Sequence, residues 1–310
     1  MFGVTTTVGI DIGTNTVRAA LLQQGNQSVT LKTLLVAPYD ADTLDSVLKS
    51  VKKRIAKACS LPWHWPKHQI MGVPQSSIAV KRFPVLKDAP EHEQFVQVGL
   101  QLSESLGLPF DELLYDYHTL ADKSATEVYA CRKSMLNDTL AGLAQAGFSL
   151  SVIELHTQAL TRLYREQSDI QLVPGIGLLV DVGLERLQIC MGGEQSGPFY
   201  RELPAPMLTQ SSQPSTDRHM YTEQLADIIK RHYQLAATQL SGAEVSHVWL
   251  SGECAKHVDI LQLESLLSWP TQALNPLRGL TYSPDLIETL NEPVSAWSTA
   301  IGLALRGVNQ

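Results

Sequence analysis

Apolar and β-branched residues crowd two short arms around a small polar turn in Val8-Gly-Ile-Asp-Ile-Gly-Thr-Asn-Thr-Val-Arg18, and the second arm runs on through Ala19 to Leu22. This pattern predicts strand, tight turn, strand, because Gly13, Thr14 and Asn15 supply turn chemistry that β-branched residues cannot. The pattern returns between Gly177 and Gly193, where Leu178-Leu-Val-Asp-Val-Gly-Leu-Glu-Arg-Leu-Gln-Ile-Cys-Met191 reads as strand, Asp-x-Gly turn, strand. Two acid-centred hairpins imply duplicated half-domains facing each other across a cleft, with Asp11 and Asp181 on opposite sides.

Other periodicities fill in the chain. Val29 to Val36 reads as a strand. A helix follows from Asp40 to Thr43 onward, with Leu44, Val47, Leu48, Val51 and Ile55 on one face and Lys49, Lys52 and Lys53 opposite. Strands are expected at Gln69 to Pro74 and Ser77 to Val85, a helix from Ala89 to Leu106, and strands at Leu113 to His118 and Glu127 to Arg132. Asn137 or Asp138 is expected to cap the next helix, which Gly147 stops. Phe148 to Ile153 reads as a strand, Thr157 to Arg165 as a helix, and Thr209 to Arg218 as a polar loop. Tyr221 to Gln239 is an amphipathic helix with Leu225, Ile228, Ile229, His232 and Leu235 on its buried face. Val245 to Leu250 is a strand, a helix then runs through Leu266, and Val294 to Arg306 is a closing helix rich in small residues. A compact mixed unit between Pro84 and about Leu150 is flanked by segments of one parent domain.

Composition narrows the function. At 310 residues the chain exceeds the usual size of a single core, and its 44% hydrophobic content supports packed lobes. A formal charge of -7 and the lack of a basic stripe argue against nucleic acid as the main partner. Cys59, Cys131, Cys190 and Cys254 are scattered, which suits free thiols in a reducing compartment. His64 and His68 sit beside Trp63 and Trp65, but Pro62 and Pro66 break any helix on which the histidines could share a metal. No apolar run approaches the roughly 20 residues of a membrane span, so the expectation is a soluble, cytoplasmic protein.

The chemistry of the hairpins is specific in one respect. A Rossmann or P-loop phosphate site needs its glycines to open a helix, whereas Val17 to Leu22 continues as a strand. An acid followed by a Gly-Thr hairpin resembles instead the first phosphate loop of the actin-like ATPases, in which turn N–H groups approach phosphate and the acid faces a hydrated Mg²⁺.

Several segments in order resemble the actin-like PilM proteins of type IV pilus assembly, including the MshI-type members of mannose-sensitive pilus systems. Gly9-Ile-Asp-Ile-Gly-Thr14 is similar to the first phosphate motif and Leu179-Val-Asp-Val-Gly183 to the second. Val73-Pro74 with Ile78-Ala-Val-Lys-Arg-Phe-Pro84 is similar to the strand pair leading into the family's inserted subdomain, and Tyr129 to Lys133 through Ala146-Gly-Phe148 and Glu154 to Tyr164 to the way back out. Leu250-Ser-Gly-Glu-Cys-Ala255 is similar to the adenosine loop, and Ala300 to Gly307 to the closing helix.

The resemblance implies an α/β, actin-like (ribonuclease H-like) two-lobed ATPase fold with an FtsA/PilM-type insertion. It places a first lobe at 1–84 and 150–175, the inserted subdomain at 85–149, a second lobe with a reduced upper subdomain at 176–293, and a helix returning to the first lobe at 294–310. It also implies a nucleotide site of Asp11, Gly13, Thr14, Asn15, Asp181, Gly183 and Gly252, with Asp11 and Asp181 toward a hydrated Mg²⁺.

Three departures predict that Mg²⁺-ATP binds weakly or not at all: Glu253 and Cys254 follow Gly252 where consecutive glycines are usual, Leu187 and Leu184 stand at positions usually hydroxylated or small, and the chain between Arg201 and Tyr221 is short. The implied function is a cytoplasmic scaffold at the inner-membrane face of a pilus assembly platform. It would bind the N-terminal cytoplasmic tail of a PilN-like partner in a groove between the first lobe and the inserted subdomain, walled by Ser77 to Val85 with Ile78, Val80 and Arg82 as the contact residues. The alternative is an active actin-like ATPase or sugar kinase, for which no separate acid or histidine motif is assignable as base. A membrane-tethered FtsA-like filament protein is a third reading, which the lack of a terminal amphipathic helix disfavours.

Overall fold

The computed structural model describes residues 5–40, 42–59, 65–85, 90–120, 124–165, 175–192, 199–208, 214–237 and 244–308. The readings at Pro62, Trp63 and His64, and at 209–213 of the polar loop, lie outside them. In chain order the elements are β1 (Thr5–Ile12), β2 (Thr16–Gln24), β3 (Val29–Pro38), α1 (Leu44–Ala58), β4 (His68–Val73), β5 (Ala79–Phe83), α2 (Glu91–Leu106), β6 (Leu113–Thr119), β7 (Thr126–Arg132), α3 (Lys133–Ala146), β8 (Val152–Leu155) and α4 (His156–Arg165). They continue with β9 (Ile176–Val182), β10 (Arg186–Gly192), β11 (Phe199–Pro204), α5 (Pro214–Ala237), β12 (Val245–Ser251), α6 (Ile260–Leu267), β13 (Thr271–Ala273), β14 (Leu280–Thr281), α7 (Pro284–Glu288) and α8 (Ser298–Val308).

The first sheet runs β14-β3-β2-β1-β4-β8 and the second β11-β10-β9-β12-β13. Each begins as an antiparallel meander, β1–β2–β3 or β9–β10–β11, and then adds two parallel strands beside the first strand of the meander. A parallel strand cannot be reached by a tight turn, so a helix crosses over in both halves: α1 before β4 and α5 before β12. The repeat extends to residue register. Asp11 pairs with Arg18 and Ile12 with Val17, while Asp181 pairs with Gln188 and Val182 with Leu187. Gly13 N–H donates to Thr16 O, and Gly183 N–H to Arg186 O, each at 2.9 Å.

The chain divides into two compact units, one of residues 1–75 with 147–310 and the other of 76–146. In the larger unit one core joins β9, β10 and β12 to α5 and α6, including Val180, Leu187, Ile189, Leu225, Ile229 and Leu263. A second core spans both halves, with Ala20 and Leu22 of β2, Leu160 and Leu163 of α4, Leu179 of β9, Trp249 of β12, and Ala300, Ile301 and Ala304 of α8. The closing helix is therefore shared by the two sheets. Trp297, fully buried just ahead of α8, anchors it by donating its Nε1–H to Leu35 O at 2.8 Å.

The smaller unit occupies the β4–β8 crossover. Its antiparallel sheet runs β5-β7-β6, and Val98 and Leu102 of α2 pack on Leu113, Val128 and Ala130. Because β5 pairs with β7 inside this unit, the unit begins at Ser76, ahead of residue 85 where the sequence reading started it.

Several elements differ from expectation for local reasons. α3 begins at Lys133, directly after β7, so Asn137 and Asp138 are interior helical residues and not caps; such residues cost a helix only tenths of a kcal/mol. α5 begins at Pro214, inside the stretch read as a polar loop, since proline is compatible with a first helical turn. On α5, Leu235 is 62% exposed and Ala236 is buried instead, because 11 residues, unlike 10, return close to the Leu225 face at 3.6 residues per turn. β8 starts at Val152, later than the strand read from Phe148. β11, β13 and β14 were not anticipated, and the last two are too short for a period-2 signal.

Candidate functional site

The turns of the two hairpins and the end of β12 open onto one cleft of the larger unit, lined by Asp11, Gly13, Thr14, Asn15, Asp181, Gly183 and Gly252. All seven residues read as a nucleotide site thus come together. Ile78, Val80 and Arg82 belong to the smaller unit, at and before the edge strand β5. The first turn is braced from the residue after β3: Tyr39 donates its hydroxyl to Gly13 O and its N–H to Asn15 O at 2.8 Å. Burial and the nearby charge of Asp11 hold the Tyr39 phenol above its ordinary value.

At the cleft floor the sequence reading missed the charged partners. Arg18, whose side chain is 7% exposed, donates to Glu253, to Glu292 at 2.8 Å and to Thr16 Oγ1 at 3.0 Å. Glu253 reaches across with its other oxygen and accepts the Leu184 N–H at 3.0 Å. Burial alone would depress the guanidinium. The Glu292 hydrogen bond and the charges of Glu253, Glu292 and Asp11 outweigh it and leave Arg18 above the usual arginine value. The buried His156, at the start of α4, places Nε2 3.2 Å from Asp11 Oδ1, without the alignment of a hydrogen bond. A lone arginine in an otherwise apolar arm was the available signal, since a charge in a buried strand needs a partner.

Two of the sequence departures act elsewhere. Leu187 is fully buried in the core that joins β9, β10 and β12 to α5 and α6, at the position equivalent to Val17 of the first hairpin, and Cys254 is 3% exposed in that same core with its N–H on Val182 O at 2.9 Å. Neither reaches the cleft; burial pushes the Cys254 thiol up to about 11. Leu184 does line it and is 49% exposed. Gly252 has φ of +97°, and a Cβ there would fall 2.4 Å from Val182 O, so the close pass of β9 explains this glycine without a ligand.

Asp181 lies half-buried in the cleft. Burial, then the charges of Asp11 and Glu253, push its carboxyl up to about 7 against the opposing Ser251 hydrogen bond and Arg18. Its folded-state pKa thus lies above the unfolded value, so the folded chain holds the extra proton between these values and loses stability as pH rises through 7. Asp181→Asn is expected to be more stable than wild type at pH 8, with the difference vanishing toward pH 4. The gain should be about 2 kcal/mol, half of what three pKa units would carry for a wholly enclosed group. Urea unfolding at pH 4, 6 and 8 checks this; a difference independent of pH would refute it.

The class of fold is settled by comparison. The chain resembles a Bacteroides thetaiotaomicron protein with actin-like ATPase fold and unknown function, at 13% identity over 88% of this chain and 91% of that chain, with a TM-score of 0.52. It has an actin-like, ribonuclease H-like two-lobed α/β fold with an FtsA/PilM-type insertion. A structure described as a PilM-PilN type IV pilus biogenesis complex matches over 97% of this chain and 98% of that chain, at 18% identity and a TM-score of 0.76. The sequence family described as Type IV pilus assembly protein PilM matches residues 9–204, and the chain belongs to that family. No curated protein sequence matches it.

An actin-like fold implies Mg²⁺-ATP, and the groups in the cleft that could meet it are already engaged by the chain's own carboxylates. The Leu184 N–H is taken by Glu253, and Arg18 is neutralised by two carboxylates. Four carboxylates line the cleft against two guanidiniums, and the second of these, Arg186, lies 3.4 Å from Glu202. Among the described residues no group of three or more His, Cys, Asp or Glu is arranged to hold a metal ion, and no helix is long and apolar enough to cross a membrane.

Proposed function

We propose that this protein is a scaffold of a type IV pilus assembly platform of the mannose-sensitive, MshI type. In this reading it works in the cytoplasm at the inner-membrane face, binds the N-terminal cytoplasmic tail of a PilN-like single-span partner, and binds Mg²⁺-ATP weakly or not at all. Family membership and the likeness to a PilM-PilN structure support the pilus setting. A protein without a membrane-crossing helix among its described residues needs another protein to bring it to a membrane machine, and a tail that orders on docking is a common means.

The observation that carries the docking reading is the position of β5 at the end of its sheet among the described residues. The sheet order β5-β7-β6 leaves this strand paired on one side among the described residues, and not interior to a sheet. Phe83 turns toward the unit's core, while Val80 is 39% exposed and the Arg82 side chain 66% exposed beside Glu127 at 2.8 Å. Ile78 lies half-buried just before the strand. An extended tail would add to such an edge through its backbone, with Ile78, Val80 and Arg82 reading its side chains.

The test is a pull-down with the tail peptide of the candidate partner against wild type, Val80→Asp, and a variant with 76–146 replaced by a short linker and its fold verified by circular dichroism. Binding should fall at least tenfold for Val80→Asp, about 1.4 kcal/mol, and vanish for the excised variant. Undiminished binding by the excised variant would remove the inserted unit from the docking site.

A further inference from the structure

We propose that the Arg18 guanidinium and the Leu184 N–H form an anion-binding site whose occupant is the chain's own Glu253 carboxylate, an internal ligand that keeps phosphates out of the cleft. The inference deepens the nucleotide-poor reading of the cleft and rests on it; the partner reading is separate. Three observations converge. Glu253 uses both oxygens at once, Oε2 on the Arg18 guanidinium and Oε1 on the Leu184 N–H. Leu184 is the residue after Gly183 in the second hairpin turn, where an inward N–H is the type of donor that holds an oxyanion. Arg18 is also over-provisioned for a single partner: Glu292 takes the same terminal nitrogen at 2.8 Å, and the buried Nε–H has no hydrogen-bond partner.

A guanidinium next to a backbone N–H matches two oxygens of a phosphate as well as two of a carboxylate. Here the carboxylate arrives on the segment after β12, 235 positions from Arg18, and is held by the fold at high effective concentration. A free phosphate must displace it and then meet the negative charges of Asp11 and Glu292, both of which already act on Arg18. Removing Glu253 removes the competitor and one repelling charge together. The ligand class that then fits is a polyphosphate, since the emptied site lies beside the Gly13–Thr14 turn, on the same cleft.

The experiment is calorimetric titration of wild type, Glu253→Gly and Glu253→Gln with pyrophosphate and with Mg²⁺-ATP at low ionic strength, each variant first checked for wild-type circular dichroism and melting. Glu253→Gly should bind pyrophosphate at least tenfold tighter than wild type. Glu253→Gln, which keeps an acceptor for Leu184 N–H but loses the charge, should show a smaller gain of about threefold and serves alone if the glycine variant does not fold. Folded variants that bind no tighter than an equally weak wild type would overturn the internal-ligand proposal and leave the nucleotide-poor reading intact. Wild-type binding of Mg²⁺-ATP in the micromolar range would overturn both.

Discussion

Replacing Gly9 by alanine should destabilise the protein by about 3 kcal/mol or more, at or beyond the upper end of ordinary overpacking. Gly9 lies in β1, paired with Ala20 on one side and Ile70 on the other, so the strand cannot slide aside. A Cβ there would meet Ala300 O at 2.0 Å, Ala304 N at 2.6 Å and Leu303 Cβ at 2.8 Å, and the first two are backbone atoms of α8 that no rotamer change can move. The helix is tied in place from both flanks: Thr7 Oγ1–H donates to Ala304 O at 2.9 Å, and the buried Trp297 donates to Leu35 O. Relief would require shifting α8 away from the core that spans both halves and from Ile70 and Ala159, with which Leu303 clusters. Urea unfolding of Gly9→Ala measures the loss, and a cost under about 1 kcal/mol would mean that α8 is free to give.

Removing the Glu154 carboxylate should cost about 3 kcal/mol, the lower end of the range for a buried ion pair that loses one member. Glu154, 3% exposed in β8, accepts both terminal nitrogens of Arg162 on α4 at 2.6 and 2.9 Å and Arg306 on α8 at 2.7 Å. Arg162 also donates to Gly302 O at 3.0 Å, so one carboxylate organises the junction of a strand and two helices. Glu154→Ala leaves two guanidiniums facing each other. Arg306→Ala should cost under about 1 kcal/mol, because Arg306 is 38% exposed and Glu154 keeps its bidentate partner. Thermal melting of both variants separates the cases, and equal losses would contradict this division of roles.

The repeated hairpins were legible in the sequence because each carries its own signal: apolar arms, an acid, and a glycine that closes the turn. The cleft residues Asp11, Gly13, Asp181 and Gly183 followed from that repeat. The salt bridges did not follow, because Glu253 and Glu292 stand 235 and 274 positions from Arg18 and no local period links them. His156 likewise meets Asp11 only through the fold. Leu187 and Cys254 were misread because motif position does not say which face a side chain takes. The pairing of Leu187 with Val182 sends it into the core. The inserted unit was recognised as mixed α and β, but its boundary was misplaced because Ala79–Phe83 alternates equally well as a strand of either unit.

Calorimetric titration of the intact protein with the N-terminal tail peptide of its inner-membrane pilus partner, with and without millimolar Mg²⁺-ATP, tests the central claim most directly. By linkage, a nucleotide that sets the affinity for the tail must itself be bound differently when the tail is present. The scaffold reading predicts saturable one-to-one binding whose Kd changes by less than about threefold when Mg²⁺-ATP is added. Binding that appears only with Mg²⁺-ATP, or no binding of the tail under either condition, would contradict it.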